Sequence, residues 1–267
     1  MNTKFLKQHD GQIAYDVEGN GPLVVCVPSL GDLRGEYRFL RPLLVEAGFR
    51  VATMDVRGLG ETSVEWDDYT VAGVGADIVA LVRGLEAGPA IVIGTSMAAG
   101  AAVWAASEAP DLIRGMIMVG PFVRGDGNKL LEAVFTIMLA RPWGPSMWLK
   151  YFSALYPTRK PEDFAEYTAA LKASLAEPGR LETLLAMLRA SKRASEERIP
   201  QVDKPVLVLM EGKDPDFKEP EAEAKWVADN LKGTYTMIEN AGHYPHAEMP
   251  EITAPLMISF MKSLNGK

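Results

Sequence analysis

The apolar positions fall into two rhythms. Ile13-Ala14-Tyr15-Asp16-Val17 alternates, Gly19-Asn20-Gly21-Pro22 carries turn residues, and Leu23-Val24-Val25-Cys26-Val27 is apolar throughout. That order predicts an antiparallel hairpin. Beyond it, short β-branched or apolar runs at 49–54, 90–94, 115–120, 205–210 and 234–238 alternate with helix-like stretches at 39–45, 70–86, 97–108, 219–231 and 250–264. Within 70–86, Val74, Ile78, Leu81, Val82 and Leu85 recur at a spacing that lines one helix face. Strands that are apolar at nearly every position must be covered on both faces. The predicted class is therefore α/β: a mostly parallel sheet between helices, with the hairpin at one edge.

The middle of the chain breaks the rhythm. Residues 123–200 offer no clear strand and are divided into helices by Pro142, Pro145, Pro157, Pro161, Pro178 and Gly179. Met138, Trp143, Met147, Trp148, Tyr151, Phe152 and Phe164 crowd this stretch. It reads as a helical insertion over the sheet, giving a core of 1–122 and 202–267 and an insertion of 123–201. Most of those large side chains are expected to pack the insertion itself, and a minority, with Trp143, Met147, Trp148 and the nearby Phe122 as candidates, to face a cavity.

Composition narrows the function. The 267 residues carry a net charge of -7, against a nucleic-acid surface, which needs clustered Lys and Arg. The single cysteine, Cys26, lies inside an apolar run, so no intrachain disulfide is possible and the thiol reads as a small buried hydrophobe. Three scattered histidines and that cysteine give no metal-ligand spacing, and no metal or other cofactor is expected. No run approaches the ~20 apolar residues of a membrane span. The N-terminal MNTKFLKQHDGQ lacks a signal peptide's apolar stretch, so a cytoplasmic location is expected.

In a parallel α/β sheet, functional groups gather at the carboxyl ends of the strands. Three residues there form a chemical set: Ser96 after the run 90–94, Asp214 after 205–210 and His243 after 234–238. A hydroxyl is a poor nucleophile at neutral pH. It needs a base within hydrogen-bond reach, and the base needs a third group to hold its tautomer. Ser96 stands between a strand and a helix, with Gly94, Ala98 and Gly100 as small neighbours. A sharp turn needs small neighbours, and the helix that starts there points free N–H groups at the serine. His246 and His9 compete with His243, but only His243 directly follows the glycine of its loop; His246 reads as a brace and His9 as solvated. Asp216 and Glu211 compete with Asp214 less well, one lying past Pro215 and the other still close to the strand. Asp55 and Arg57 read as ion-pair or loop hydrogen-bond residues.

Here the chain resembles the α/β-hydrolase family. Gly94-Thr95-Ser96-Met97-Ala98 is similar to the family's Gly-x-Ser-x-Gly elbow, and Asp55-Val56-Arg57-Gly58-Leu59-Gly60-Glu61-Thr62 to its Asp-x-Arg-Gly-x-Gly-x-Ser loop. Gly212-Lys213-Asp214-Pro215 and Gly242-His243-Tyr244-Pro245 look like its acid and histidine loops. Two departures stand out: Pro28-Ser29 stands where the family has His-Gly, and Ala98 where it has glycine. The resemblance implies an α/β-hydrolase fold with a helical cap and a carboxylesterase-type serine hydrolase. Ser96 would be the nucleophile, His243 the base and Asp214 its orienter, with the backbone N–H groups of Met97 and Leu30 as the oxyanion hole. A small-molecule ester with an apolar acyl or alcohol group is the expected substrate, and a monomer or homodimer the expected assembly. The same triad serves perhydrolases, carbon–carbon bond hydrolases and lactonases. Some relatives keep it as slow ligand sensors that signal through the cap, so these readings stay open.

Overall fold

A computed structural model describes residues 2–125 and 129–264. Eight strands form one sheet: β1 (Lys4–Lys7), β2 (Gln12–Glu18), β3 (Leu23–Val27), β4 (Arg50–Met54), β5 (Ala90–Thr95), β6 (Ile113–Val119), β7 (Val206–Glu211) and β8 (Thr234–Ile238). Their spatial order is β1-β2-β4-β3-β5-β6-β7-β8. The pairs β1·β2 and β2·β4 are antiparallel; every pair from β4 to β8 is parallel. The helices on the sheet are α1 (Leu40–Glu46), α2 (Val71–Leu85) and α3 (Met97–Glu108). Between β6 and β7 come α4 (Lys129–Met138), α5 (Gly144–Ala154), α6 (Phe164–Ala176), α7 (Arg180–Arg189) and α8 (Arg193–Glu196). The chain closes with α9 (Pro220–Asn230), α10 (Pro245–Glu248) and α11 (Pro250–Ser263).

The apolar strands follow from a sheet buried on both sides. Alternate residues of a strand face opposite ways. Val25, Val27, Val92, Met116, Met118, Val208 and Met210 pack in one cluster with residues of α2, α3 and α9. Their neighbours Val24, Cys26, Ile91, Ile93, Ile117, Val119, Leu207 and Leu209 pack in a second cluster with residues of α1 and α11. Cys26 is fully buried, and burial pushes its thiol pKa far up, away from reactivity.

The expected hairpin is not there. Residues 13–17 and 23–27 are both strands, but β2 pairs with β4, and β3 lies on the far side of β4. A turn-like Gly-Asn-Gly-Pro looks the same locally whether its strands pair or are parted by a third. The edge hairpin is instead β1·β2, with Gln8 N–H donating to Gly11 O at 2.7 Å.

The helix α3 owes its small residues to its position. Ala98, Ala99, Ala101, Ala102 and Ala105 are fully buried. A Cβ on Gly75 of α2 would stand 2.5 Å from the Trp104 ring of α3, and one on Gly100 would stand 3.0 Å from Phe122 O. Longer side chains would push apart the layers that hold Ser96 in place.

Candidate active site

Ser96 sits at the β5–α3 junction with φ 58° and ψ -122°. A non-glycine residue there costs on the order of 1–3 kcal/mol and persists only where its surroundings enforce it. Here they do. Ser96 N–H donates to Val119 O of β6 at 2.8 Å, and Ser96 O accepts from Ala99 N–H and Phe122 N–H, each at 3.1 Å. Gly94 has no alternative, since a Cβ there would lie 2.6 Å from Ala98 O. Ala98 itself is fully buried in the first turn of α3, so the methyl at this position is accommodated.

His243 and Asp214 meet behind a cavity that Ser96 and His243 both line. His243 Nδ1 and Asp214 Oδ2 stand 2.5 Å apart, both groups buried. Nδ1 is thereby engaged, and Nε2 is the ring nitrogen left for proton transfer. Burial works against the imidazolium. The charge and hydrogen bond of Asp214 outweigh it, with Asp216 adding to them, and hold the His243 pKa above its ordinary value of 6.5.

Asp216, set aside at the sequence level, proves to be a neighbour. Its N–H donates to Asp214 Oδ1 at 2.9 Å, and its carboxylate accepts from the Tyr151 hydroxyl at 2.7 Å. Burial raises its pKa; His243 and Tyr151 pull it back. Asp214, Asp216 and His243 bring one ligand atom each within 4.8 Å of one another, a cluster that spacing in the chain did not reveal. Its shortest contact, 2.5 Å between His243 Nδ1 and Asp214 Oδ2, is a hydrogen bond.

The loop after β3 is held from three sides. Ser29 N–H donates to Glu36 Oε2 at 2.7 Å, and the Ser29 and Tyr244 hydroxyls share a 2.7 Å hydrogen bond. Trp148 Nε1–H donates to Gly31 O at 3.0 Å. Gly31 has φ +74°, and a Cβ on it would meet the Trp148 ring at 2.3 Å. Ser29 thus ties the loop to Glu36 and Tyr244, and Leu30 lines the cavity beside Met97, the first residue of α3. The Met97 N–H is among the donors a helix start leaves free.

The histidine loop is clamped by the helical segment. His243 N–H donates to Leu155 O at 2.9 Å, and the Thr158 hydroxyl oxygen lies 2.7 Å from Asn240 O. Glu248, fully buried, accepts from Gly242 N–H at 2.6 Å through one oxygen. Its other oxygen accepts from Arg159 N–H at 2.9 Å, Thr158 N–H at 3.3 Å and the Thr158 hydroxyl. His246 stacks on Tyr37 with ring centres 4.8 Å apart, and its Nε2 is 3.0 Å from Glu36 Oε1. Asp55 and Arg57 each pair elsewhere, Asp55 with Arg34 and Arg57 with Asp77.

The cavity measures about 420 Å³ and is mainly apolar, with Phe122, Phe135, Trp148, Met187 and Leu188 among its walls. Trp143 and Met147, expected in the pocket, do not line it. Trp143 is 51% and Met147 36% exposed, and Trp143 Nε1–H donates to Ile137 O. They share α5 and its cap with Trp148 but stand on its outer side, a distinction that composition cannot make.

The sequence pattern of the α/β-hydrolase fold family matches residues 22–250. The chain belongs to the α/β-hydrolase family. It is 24% identical over 262 residues to pyrrolizixenacetamide deacetylase of Xenorhabdus hominickii, an alignment covering 97% of each chain. Among solved structures, a bromoperoxidase from Bacillus anthracis superimposes with a TM-score of 0.83 at 20% identity, over 98% of this chain and 100% of that one. A thermophilic esterase from Thermogutta terrifontis does so with a TM-score of 0.81 at 21% identity, over 99% of each. These neighbours share the fold of this α/β hydrolase. Among its described residues no helix is long and apolar enough to cross a membrane.

Proposed function

We propose that this α/β hydrolase is a serine hydrolase of the carboxylesterase type, acting on small-molecule esters with an apolar acyl or alcohol part. The observation that carries the reading is Ser96. It is held at a positive φ on the floor of an apolar cavity, facing the same space as a histidine whose Nδ1 is engaged by Asp214. Strain at such a junction has a purpose if it presents the hydroxyl to a substrate. In this reading His243 Nε2 takes the Ser96 proton as Oγ bonds to the carbonyl carbon. The carbonyl oxygen becomes an oxyanion facing the Met97 and Leu30 N–H groups. The bond to the leaving alkoxide then breaks, and His243 returns the proton to it. Water, deprotonated by His243, releases the acid and frees Ser96. The segment 123–201 acts as a cap, and Trp148, Tyr151 and Phe135 close the cavity from above. The deacetylase and esterase among the similar proteins agree with acyl transfer.

The test is covalent labelling. A fluorophosphonate should form an adduct on Ser96, located by mass spectrometry, that is absent in Ser96→Ala and slowed at least 100-fold in His243→Ala. A wild-type protein that stays unlabelled would overturn the reading.

A further inference from the structure

Besides His243, three charged residues among the described ones line the cavity: Arg124, Asp216 and Lys192. Two have partners. Arg124 makes a two-point contact with Glu223, at 3.1 and 2.5 Å, and lies over the Trp226 ring. Asp216 accepts from Tyr151. Lys192 is different. Among the described residues its ammonium has no carboxylate partner, and it lies over the Phe122 ring, 5.7 Å from its centre. Burial alone acts on its pKa, downward, with no acid raising it again.

The backbone of this lysine is fixed in position. Fully buried Ser195 donates its N–H to Lys192 O at 3.0 Å, and its hydroxyl oxygen lies 2.8 Å from Lys192 O and 3.0 Å from Val123 O. Ser195 in turn packs on Gly100 of the nucleophile's helix, where a Cβ would come within 3.0 Å of its hydroxyl. Phe122 touches both Ser96 and Lys192. Its N–H donates to Ser96 O, its ring centre lies 6.3 Å from that of His243, and the Lys192 ammonium stands over the same ring. A partly desolvated cation without a counter-ion is costly, and an anion arriving in that space removes the cost.

We propose that the cavity binds ligands with an apolar body ending in a carboxylate, and that Lys192 pairs with that carboxylate. Taken with the serine-hydrolase reading, on which this extension rests, the substrates are esters whose acyl chain carries a terminal carboxylate. Lys192 is then a specificity residue, since a site built around a partly buried charge disfavours the neutral analogue that leaves it unpaired.

The first measurement is calorimetric binding of hexanoate and hexanamide to wild type, Lys192→Met and Lys192→Arg. Hexanoate should bind the wild type roughly 10-fold to 100-fold more tightly than hexanamide, the range of a charge-assisted hydrogen bond. The gap should close in Lys192→Met and persist in Lys192→Arg. Equal binding of the two probes by the wild type, or a gap that survives in Lys192→Met, overturns the proposal. The second measurement compares kcat/KM for the 4-nitrophenyl monoester of adipic acid with that for 4-nitrophenyl hexanoate. Lys192→Met should lose the adipate monoester selectively and through KM; an equal loss on both esters overturns the proposal. A hexanoate gap that depends on Lys192, without turnover of either ester by wild type, would support the anion site and sink the hydrolase reading.

Discussion

Replacing Glu248 by glutamine tests whether the histidine loop is held by one buried carboxylate. Glu248 accepts four hydrogen bonds: Gly242 N–H on one oxygen, and Arg159 N–H, Thr158 N–H and the Thr158 hydroxyl on the other. An amide has one acceptor oxygen. Turned one way, it keeps the Thr158–Arg159 side and sets its NH2 against the Gly242 N–H, where 2.6 Å now separates the two heavy atoms. Turned the other way, it keeps Gly242 and faces two backbone N–H groups. The first arrangement is cheaper. It loses one charge-assisted bond, roughly 1.5–3 kcal/mol, strands a buried donor, and weakens the remaining bonds because the acceptor is now neutral. The expected loss is about 3–5 kcal/mol, a large part of the ~5–15 kcal/mol that holds a folded domain. Urea unfolding should show the midpoint fall with the slope unchanged. Gly242 precedes His243, so kcat should also fall about 10-fold to 100-fold, as misplacement of a catalytic group by about 1 Å does. Glu251→Gln is the control, since this residue pairs with Arg159 at the exposed surface. A Glu248→Gln protein destabilised by under about 1 kcal/mol, with kcat within twofold of wild type, would refute the reasoning.

Two further outcomes follow from the same geometry. His243 must be neutral to act as a base, so kcat/KM on a simple ester should rise with pH through its pKa. Burial opposes the imidazolium and Asp214 more than restores it, which puts the midpoint of that rise above 6.5; Asp214→Asn should move it down and cut kcat about 10⁴-fold. An unchanged midpoint in Asp214→Asn would mean that another acid orients the ring. The Arg57–Asp77 pair, bonded at 2.8 Å through both Nε and Nη2 and buried beside Trp66, should behave as a structural pair. Arg57→Met should cost about 3–5 kcal/mol in urea unfolding by leaving Asp77 unpaired, with fluorophosphonate labelling of the folded protein unaltered; slowed labelling would place Arg57 nearer the chemistry.

Much of the framework could be read along the chain, because it rests on local rules. The change from β-branched to small residues at 95–97 marks the β5–α3 junction where the structure has it. The unbroken apolar strands implied cover on both faces, and two clusters supply it. Ser96, His243 and Asp214 each follow a strand, so a parallel sheet was enough to bring their loops to one edge. Pairing partners were another matter. The choice of β4 over β3 as neighbour of β2 is made by contacts between residues far apart in sequence, and a turn between two strands carries no trace of it.

The chain by itself determined which residue types could do chemistry and that the sheet would gather them, since alternation and helix spacing are properties of neighbours. Only the tertiary structure decided which face of α5 looks inward, taking Trp148 and leaving Trp143 and Met147 outside. It alone put Asp216 beside His243 and set Glu248 between the histidine loop and the segment after α5. It alone left Lys192 in the cavity wall with no acid against it among the described residues. Each of these depends on the angle at which one element packs on another, and that angle is a sum over contacts that no short stretch of sequence contains.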